Sequence, residues 1–413
     1  MRRDGFAGLD ACVHCGFCLQ ACPTFLATGD EADSPRGRIE LMRALERGEL
    51  GAADPVLAFH LDRCLGCRGC EPVCPSGVRY GQGLEAARDL LTRARGVPWV
   101  ARAALWALTS PGVSPAVYRL ARVLRATGLP RLLAGWGRVR FAMGMLAATR
   151  AEGRKGGRAE RKAWGGPSAG PPVRPSALLF RGCVMEGLFR HVHDATIRTL
   201  SVNGYEVQEI PGQVCCGALH AHAGLLDEAR ALARANVAAF GDGDEPIVVN
   251  SAGCGALMKE YGHLVEGGDR FSARVRDVTE ILAADGGPAP GAPLDLHVAY
   301  DPPCHLLHAQ RVADPPLRVL AAIPVLQLVP VPGAAECCGS AGLFTLVEPE
   351  MSRAVLAPKL ERLRAAAPQL VATGNPGCLM QLGAGLAAAG IHAAVRHPVE
   401  LLDASYRAAG RYG

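Results

Sequence analysis

No run of roughly eighteen uncharged apolar residues occurs in the 413-residue chain, so nothing in it reads as a bilayer-spanning helix. No basic-then-apolar leader opens it: Met1-Arg2-Arg3-Asp4 runs straight into a cysteine motif. With thiols set at ligand spacings rather than as scattered pairs, that reads as a cytoplasmic protein. No G-x-G-x-x-G opens a βαβ unit, which leaves no evident flavin or nicotinamide site. No Ser/His/Asp set offers a nucleophile. Two-electron substrate chemistry therefore belongs on another chain, or at an unusual metal centre in this one.

Sixteen cysteines are present, and all sit in motifs. The first eight fall into two copies of C-x2-C-x2-C-x3-C-P: Cys12, Cys15, Cys18, Cys22-Pro23 and Cys64, Cys67, Cys70, Cys74-Pro75. This is the run of two-cluster bacterial ferredoxins, in which three close thiolates hold one cubane and the fourth reaches the other. The spacing assigns Cys12, Cys15, Cys18 and Cys74 to one 4Fe–4S cluster, and Cys64, Cys67, Cys70 and Cys22 to the second. Structural zinc sites pair their ligands as C-x2-C, without a third cysteine at the same step or a trailing Cys-Pro, which argues against zinc here. The chain thus moves electrons one at a time through at least two clusters.

Between the copies, Ile39, Met42 and Leu45 recur at helical spacing behind Asp33-Ser-Pro-Arg36-Gly-Arg38, so residues 1–95 read as a small helical cluster domain. Arg36 and Arg38 are either cluster neighbours that raise a potential or solvated turn residues. Residues 96–150 change character. They hold eight arginines, no Asp, Glu or Lys, and three of the four tryptophans: Trp99, Trp106 and Trp136. Val117, Leu120, Ala121 and Leu124 lie on one helical face beside Arg119, Arg122 and Arg125. Such a segment suits a membrane interface, on the inner face of the cytoplasmic membrane, or a basic arm packed on a partner subunit. No nucleic-acid module accompanies the arginines. Residues 151–175, rich in Gly, Pro and basic residues, read as a linker.

The remainder repeats itself as lobes 176–286 and 287–413. In each, strand, helix and strand alternate around Cys, Cys-Cys-Gly and Cys: Cys183, Cys215, Cys216 and Cys254, then Cys304, Cys337, Cys338 and Cys378, offset by 121 to 124 residues. Expected strands are 177–182, 205–210, 246–250, 296–300, 325–329 and 369–373, each cysteine lying just past a strand end, where parallel α/β sheets bind ligands. The fold expected is α+β and multidomain: a helical two-cluster ferredoxin-like domain followed by two duplicated α/β cysteine-rich lobes with parallel sheets. Four thiolates per lobe suffice for a cubane or for tetrahedral zinc, so a further iron–sulfur or zinc centre is expected in one or both lobes. The second is favoured, because His305 and the Asn375-Pro-Gly-Cys378 turn add neighbours to its cysteines. His220, His222, His305 and His308 stand near these cysteines as ligands, proton relays or supporting donors, each read first as a structural histidine; His191 and His193 are weaker candidates.

The whole chain resembles the iron–sulfur subunit of bacterial glycolate oxidase (glycolate dehydrogenase). The carriers are both cluster runs, Ser34-Pro-Arg-Gly-Arg-Ile39, Cys215-Cys-Gly-Ala-Leu-His220, Asp301-Pro-Pro-Cys-His305 and Gly374-Asn-Pro-Gly-Cys378. Lactate-utilisation, anaerobic glycerol-3-phosphate dehydrogenase and heterodisulfide reductase subunits share the cluster runs and are the alternative, with a catalytic cysteine-rich site. The heterodisulfide reductase-type cysteine-rich domain ends in Cys-x-x-Cys. Here Ser251 and Asn375 replace the first cysteine of that pair, which puts a five-thiolate cluster in doubt. The resemblance implies FAD-binding 2-hydroxy acid oxidase subunits as partners and quinone, at the membrane, as the destination of the electrons.

Overall fold

The computed structural model describes residues 5–148, 174–284 and 286–412; the expected linker 151–175 lies almost wholly outside them, as does Arg150. In the amino-terminal part, prolines start helices where the spacing motifs end. Pro23 opens α1 (Pro23–Thr28) directly after Cys22. Ser34 caps α2 (Pro35–Arg47) by accepting from Gly37 N, and the helix stops at Gly48 in the left-handed region. Ile39, Met42 and Leu45 face inward as their spacing requires, and pack with α3 (Pro55–Asp62) and α4 (Tyr80–Arg95).

The arginine-rich stretch forms α5 (Trp99–Thr109), α6 (Ser114–Ala126), α7 (Leu129–Leu133) and α8 (Arg138–Ala148). It packs on the chain's own lobes. Tyr118, buried, lies against Gly187, where a Cβ would stand 2.5 Å from the ring. Of the expected apolar face, Leu120 is 69% exposed, and the residue that anchors α6 inward is Tyr118.

The first lobe runs β1 (Ser176–Leu179), α9 (Val184–Leu188), α10 (Arg190–Val202), β2 (Glu206–Glu209), α11 (Ala218–His222), α12 (Leu226–Phe240), β3 (Ile247–Val249), α13 (Ala252–Met258), α14 (Gly268–Arg274), β4 (Val275–Asp277) and α15 (Val278–Leu282). The second runs β5 (His297–Tyr300), a π-turn (His305–Ala309), α16 (Asp314–Ala321), β6 (Gln327–Leu328), α17 (Phe344–Val347), α18 (Pro349–Ala366), β7 (Leu370–Ala372), α19 (Pro376–Ala388), β8 (Ala394–Arg396) and α20 (Pro398–Ala408). Each sheet is wholly parallel, ordered β2-β1-β3-β4 and β6-β5-β7-β8. The six expected strands are present. The edge strands β4 and β8 were not expected, because Val-Arg-Asp and Ala-Val-Arg carry no apolar run; pairing to buried β3 and β7 makes them.

In both sheets the strand order reverses between the first and third strands, β1/β3 and β5/β7, which is where open α/β sheets leave a crevice. Cys183 and Cys254 follow β1 and β3, and Cys304 and Cys378 follow β5 and β7. The lobes then pack back to back around one shared core containing Val248, Val278, Val298 and Val371. Helix α10 meets α20, and α15 meets α16, so equivalent helices exchange partners across a pseudo-twofold.

One ion pair ties these halves. Arg198 on α10 donates from Nε and Nη2 to the two oxygens of Asp403 on α20, each at 2.8 Å. Asp403 is 6% exposed. Its removal strands a half-buried guanidinium, so Asp403→Ala is expected to lower unfolding stability by about 2–4 kcal/mol in urea titration. A loss of only ~0–1 kcal/mol would put the pair with ordinary surface bridges.

Candidate metal centres

In the amino-terminal part the two cysteine runs interleave. One hollow is lined by Cys12, Cys15, Cys18, Cys74 and Cys70, the last of which borders both hollows. A second is lined by Cys22, Cys64, Cys67 and Cys70. The fourth cysteine of each run thus faces the three of the other, the exchange the spacing implied. Around the second hollow, Tyr80 OH and Gly66 N donate to Cys64 Sγ at 3.5 and 3.4 Å. The Arg36/Arg38 ambiguity resolves by position. Arg38 is fully buried, donates to His60 O (2.7 Å), Thr24 Oγ1 (2.9 Å) and Asp33 Oδ1 (3.0 Å), and sets its charge beside Cys64 and Cys22. Arg36 stays at the rim, over Gly16 and bonded to His14 O (3.3 Å).

Each lobe gathers its four cysteines at the crevice. In the first, Cys183 and Cys215 Sγ lie 3.5 Å apart, and Cys216 lies beside Cys254. In the second, Cys338 and Cys378 Sγ lie 3.1 Å apart, and Cys304 and Cys337 lie 4.0 Å apart. The vicinal pairs are held by the glycine after them. Gly217 (φ +88°) and Gly339 (φ +82°) are left-handed, and a Cβ there would meet Ala229 Cα at 3.2 Å or Ser352 O at 2.5 Å. Hydrogen bonding with Cys183 and Cys216 holds the Cys215 thiol well below its ordinary pKa. Cys337 and Cys378 do the same for Cys338. The other members of these sets, Cys183, Cys216, Cys337 and Cys378, are pushed up, by thiol hydrogen bonds first and burial second. Thiols ligate metal as thiolates, and the metal's charge compensates their burial.

The residues fit a bound cluster. Two buried polar atoms beside the quartets have no hydrogen-bond partner among the described residues: His220 Nδ1 in the first lobe and Ser340 Oγ in the second. A single tetrahedral zinc would draw its sulfurs to within about 3.8 Å of one another, given Zn–S near ~2.3 Å. Among the described residues no three of these thiols lie within 4.8 Å of one another, although both lobes hold thiol pairs at 4.0 Å or less.

The two halves of the molecule meet at these sites. Cys67 packs against the cluster of Leu65, Cys337 and Phe344, with Cys304 beside it. A thiol of the second amino-terminal set therefore touches a thiol of the second lobe, a contact that no spacing in the sequence announces. Histidines seal the junction. His305 donates from Nε2 to Gly66 O (3.1 Å) and stacks on His222 at 5.2 Å, with burial pushing both to lower pKa. His308 donates to Ala335 O (3.3 Å) beside Gly69, and His220 lies beside Cys215. His193 bonds Arg181 O (2.9 Å) and Asn250 (3.1 Å), and His191 faces Glu400; both are structural. Asn375 accepts from Gly253 N (3.1 Å) and donates to Cys378 Sγ (3.6 Å), while Ala252 N donates to Gly374 O (3.1 Å). Where a fifth cysteine would stand, this chain has a residue that locks lobe to lobe.

Sequence reasoning missed Lys359. It is 2% exposed, pairs with Asp301, donates to Ala334 O (2.8 Å), and sits beside Cys338 and Cys337. A lysine within an ordinary helical pattern gave no signal; only its inward register, with Leu356, Leu360 and Leu363, hinted at burial. Lys359→Met leaves the buried Asp301 without its cation, with only Thr373 donating to it (3.3 Å), and is expected to cost about 3–5 kcal/mol and to lower metal content in the second lobe. Adding Asp301→Asn should restore most of the stability; equal unfolding midpoints for wild type and Lys359→Met would contradict the pair's role.

Residues 8–78 match the family model described as 4Fe-4S dicluster domain, and residues 177–259 and 298–383 match that described as Cysteine-rich domain. A Bacillus subtilis (strain 168) protein, named as a probable glycolate oxidase iron-sulfur subunit, is 33% identical over 97% of this chain and 94% of its own length. The glycolate oxidase iron-sulfur subunit of Escherichia coli (strain K12) is 33% identical over 96% of this chain and 93% of its own. Lactate utilization protein A of Geobacillus kaustophilus (strain HTA426) is 30% identical over 55% of this chain and 98% of its own.

Proposed function

The chain belongs to the family of glycolate oxidase iron–sulfur subunits, and we propose that it takes electrons from a flavoprotein that oxidises a 2-hydroxy acid and hands them to quinone at a membrane surface. It is an electron-transfer iron–sulfur subunit of an oxidoreductase. The observation that carries the reading is contiguity: Cys67 of the amino-terminal set packs into one cluster with Cys337 and Cys304 of the second lobe. Cys12, Cys15, Cys18 and Cys74 would hold one 4Fe–4S cluster, and Cys22, Cys64, Cys67 and Cys70 the other. Cys304, Cys337, Cys338 and Cys378 would hold a third centre, with Cys183, Cys215, Cys216 and Cys254 as the equivalent set. When bound, such clusters supply one-electron transfer. The chain's own part is to bury them, space them, and offset their charge with Arg38 and Lys359.

Substrate oxidation is assigned to a partner because the crevice of each sheet, where a nucleotide cofactor would lie, is flanked by cysteines. Membrane attachment is assigned to residues 96–150. Trp99 (80% exposed), Trp106 (60%), Leu132 (81%) and Val139 (70%) project outward among exposed arginines 119, 122, 138 and 140. Among the described residues no helix is long and apolar enough to cross a membrane. Each arginine near an anionic surface contributes about 1 kcal/mol, screened by salt.

Cys18→Ser should disturb one amino-terminal cluster and Cys70→Ser the other, each leaving its companion assembled by EPR. Loss of both signals in either variant would contradict the interleaved ligand sets. Purified alone, the chain should not reduce dye with glycolate or lactate. Adding the flavoprotein should restore turnover; turnover without any flavin subunit would overturn the division of labour.

A further inference from the structure

We propose that the hollow between α8 and the second lobe is the quinone site, so that the electron path ends on the second lobe rather than at the amino-terminal clusters. This rests on the quinone reading above and gives it a place. The hollow is about 760 Å³, the size range of sites for drug-sized ligands. Its wall is apolar and aromatic: Val100 of α5, Trp136, Phe141 and Met145, facing Leu346 and Val347. Trp136 stacks on Phe141 (5.8 Å, 14°), and Arg353 Cζ lies 4.7 Å from its ring centre. A flat, electron-poor ring suits that wall.

The floor of the hollow joins the cysteines directly. Ser352, Thr345 and Gln381 line it. Ser352 Oγ donates to Gly339 O (2.8 Å), Thr345 Oγ1 to Ser340 O (3.2 Å), and Gln381 Nε2 to Ser352 Oγ (2.9 Å). Gly339 and Ser340 are the two residues after Cys337-Cys338, so the hollow and the thiol quartet sit on opposite sides of one turn. The rim points the other way. Val100 and Arg138 border the hollow, and their neighbours Trp99 and Val139 belong to the exposed apolar face. An isoprenoid tail leaving the hollow would run onto the surface assigned to the membrane. A water-soluble acceptor would have no use for that continuity.

The reaction balances on groups present or named. The hydroxy acid loses two electrons and two protons on the flavoprotein and becomes the 2-oxo acid. The electrons arrive at the hollow one at a time. The quinone's two carbonyl oxygens accept two electrons and two protons and become the hydroxyls of the quinol. Glu348 lies on the rim, and burial raises its carboxyl pKa, so it can pass protons inward from water.

The test uses the complex with its flavoprotein, in vesicles, and an azido-substituted short-chain quinone. Light should attach label to peptides containing Trp136–Met145 or Thr345–Arg353. Ala142, exposed on α8 and lining the hollow, is changed to fill it. Ala142→Trp should raise the KM for quinone by about tenfold or more and abolish labelling, with iron content and EPR signals as in wild type. Label on Leu65, Leu219 or His222, beside the other cavity that borders Cys64, would overturn the site while leaving quinone as acceptor. A wild-type complex that reduces dye but neither reduces nor binds the quinone would overturn the acceptor reading instead.

Discussion

Thiolates that share one buried centre repel each other, and the cost of their charge in a dry interior governs where everything else in this chain is placed. Burial alone pushes Cys18, Cys22 and Cys70 towards the neutral thiol. The chain answers with buried cations and hydrogen-bond donors. Arg38 stands beside Cys22 and Cys64, and Lys359 beside Cys338 and Cys337. Each cation is itself neutralised by a buried carboxylate, Asp33 or Asp301. Such pairs are poor sources of stability for their own sake, and their place next to ligand thiols is the better reason for them.

The duplication illustrates the same pressure. Gly217 and Gly339 occupy equivalent left-handed turns, packed on Ala229 and Ser352. Counting on from these contacts, Lys359 stands where the first lobe has Asn236, and each bonds backbone near the vicinal cysteines: Asn236 to Cys215 O, Lys359 to Ala334 O. The first lobe thus supports its thiols with neutral groups, Asn236 and Tyr261, while the second uses an ion pair. The second lobe is also the one that touches Cys67 and carries the hollow behind its cysteine turn. Charge compensation and contiguity fall on the same lobe.

Much of this was legible in the sequence because ligand spacing and strand periodicity are local. The interleaved runs, the six expected strands and the four-cysteine repeat all follow from residues within a few positions of one another. What stayed hidden depends on contacts between distant segments. Edge strands β4 and β8 exist only as neighbours of β3 and β7. The placement of α8 depends on small residues meeting, a Cβ on Gly144 lying 3.1 Å from Ala384 Cβ, which no periodicity reveals. Tyr118 anchors α6 over Gly187, a contact that the apolar spacing of Val117, Leu120, Ala121 and Leu124 does not announce. The Cys67–Cys337 contact joins residues 270 positions apart and could not be read from either motif.

The central claim is that the thiol sets form one conducting line ending in the second lobe. EPR of anaerobically purified, stepwise-reduced protein, with iron and zinc counted in the same sample, addresses it directly. The account predicts iron beyond that of the two amino-terminal clusters, and reduced spectra broadened by a paramagnetic neighbour. Cys338→Ser should remove that broadening while both amino-terminal clusters remain. Zinc in the second lobe, or narrow spectra that Cys338→Ser leaves unchanged, would contradict it.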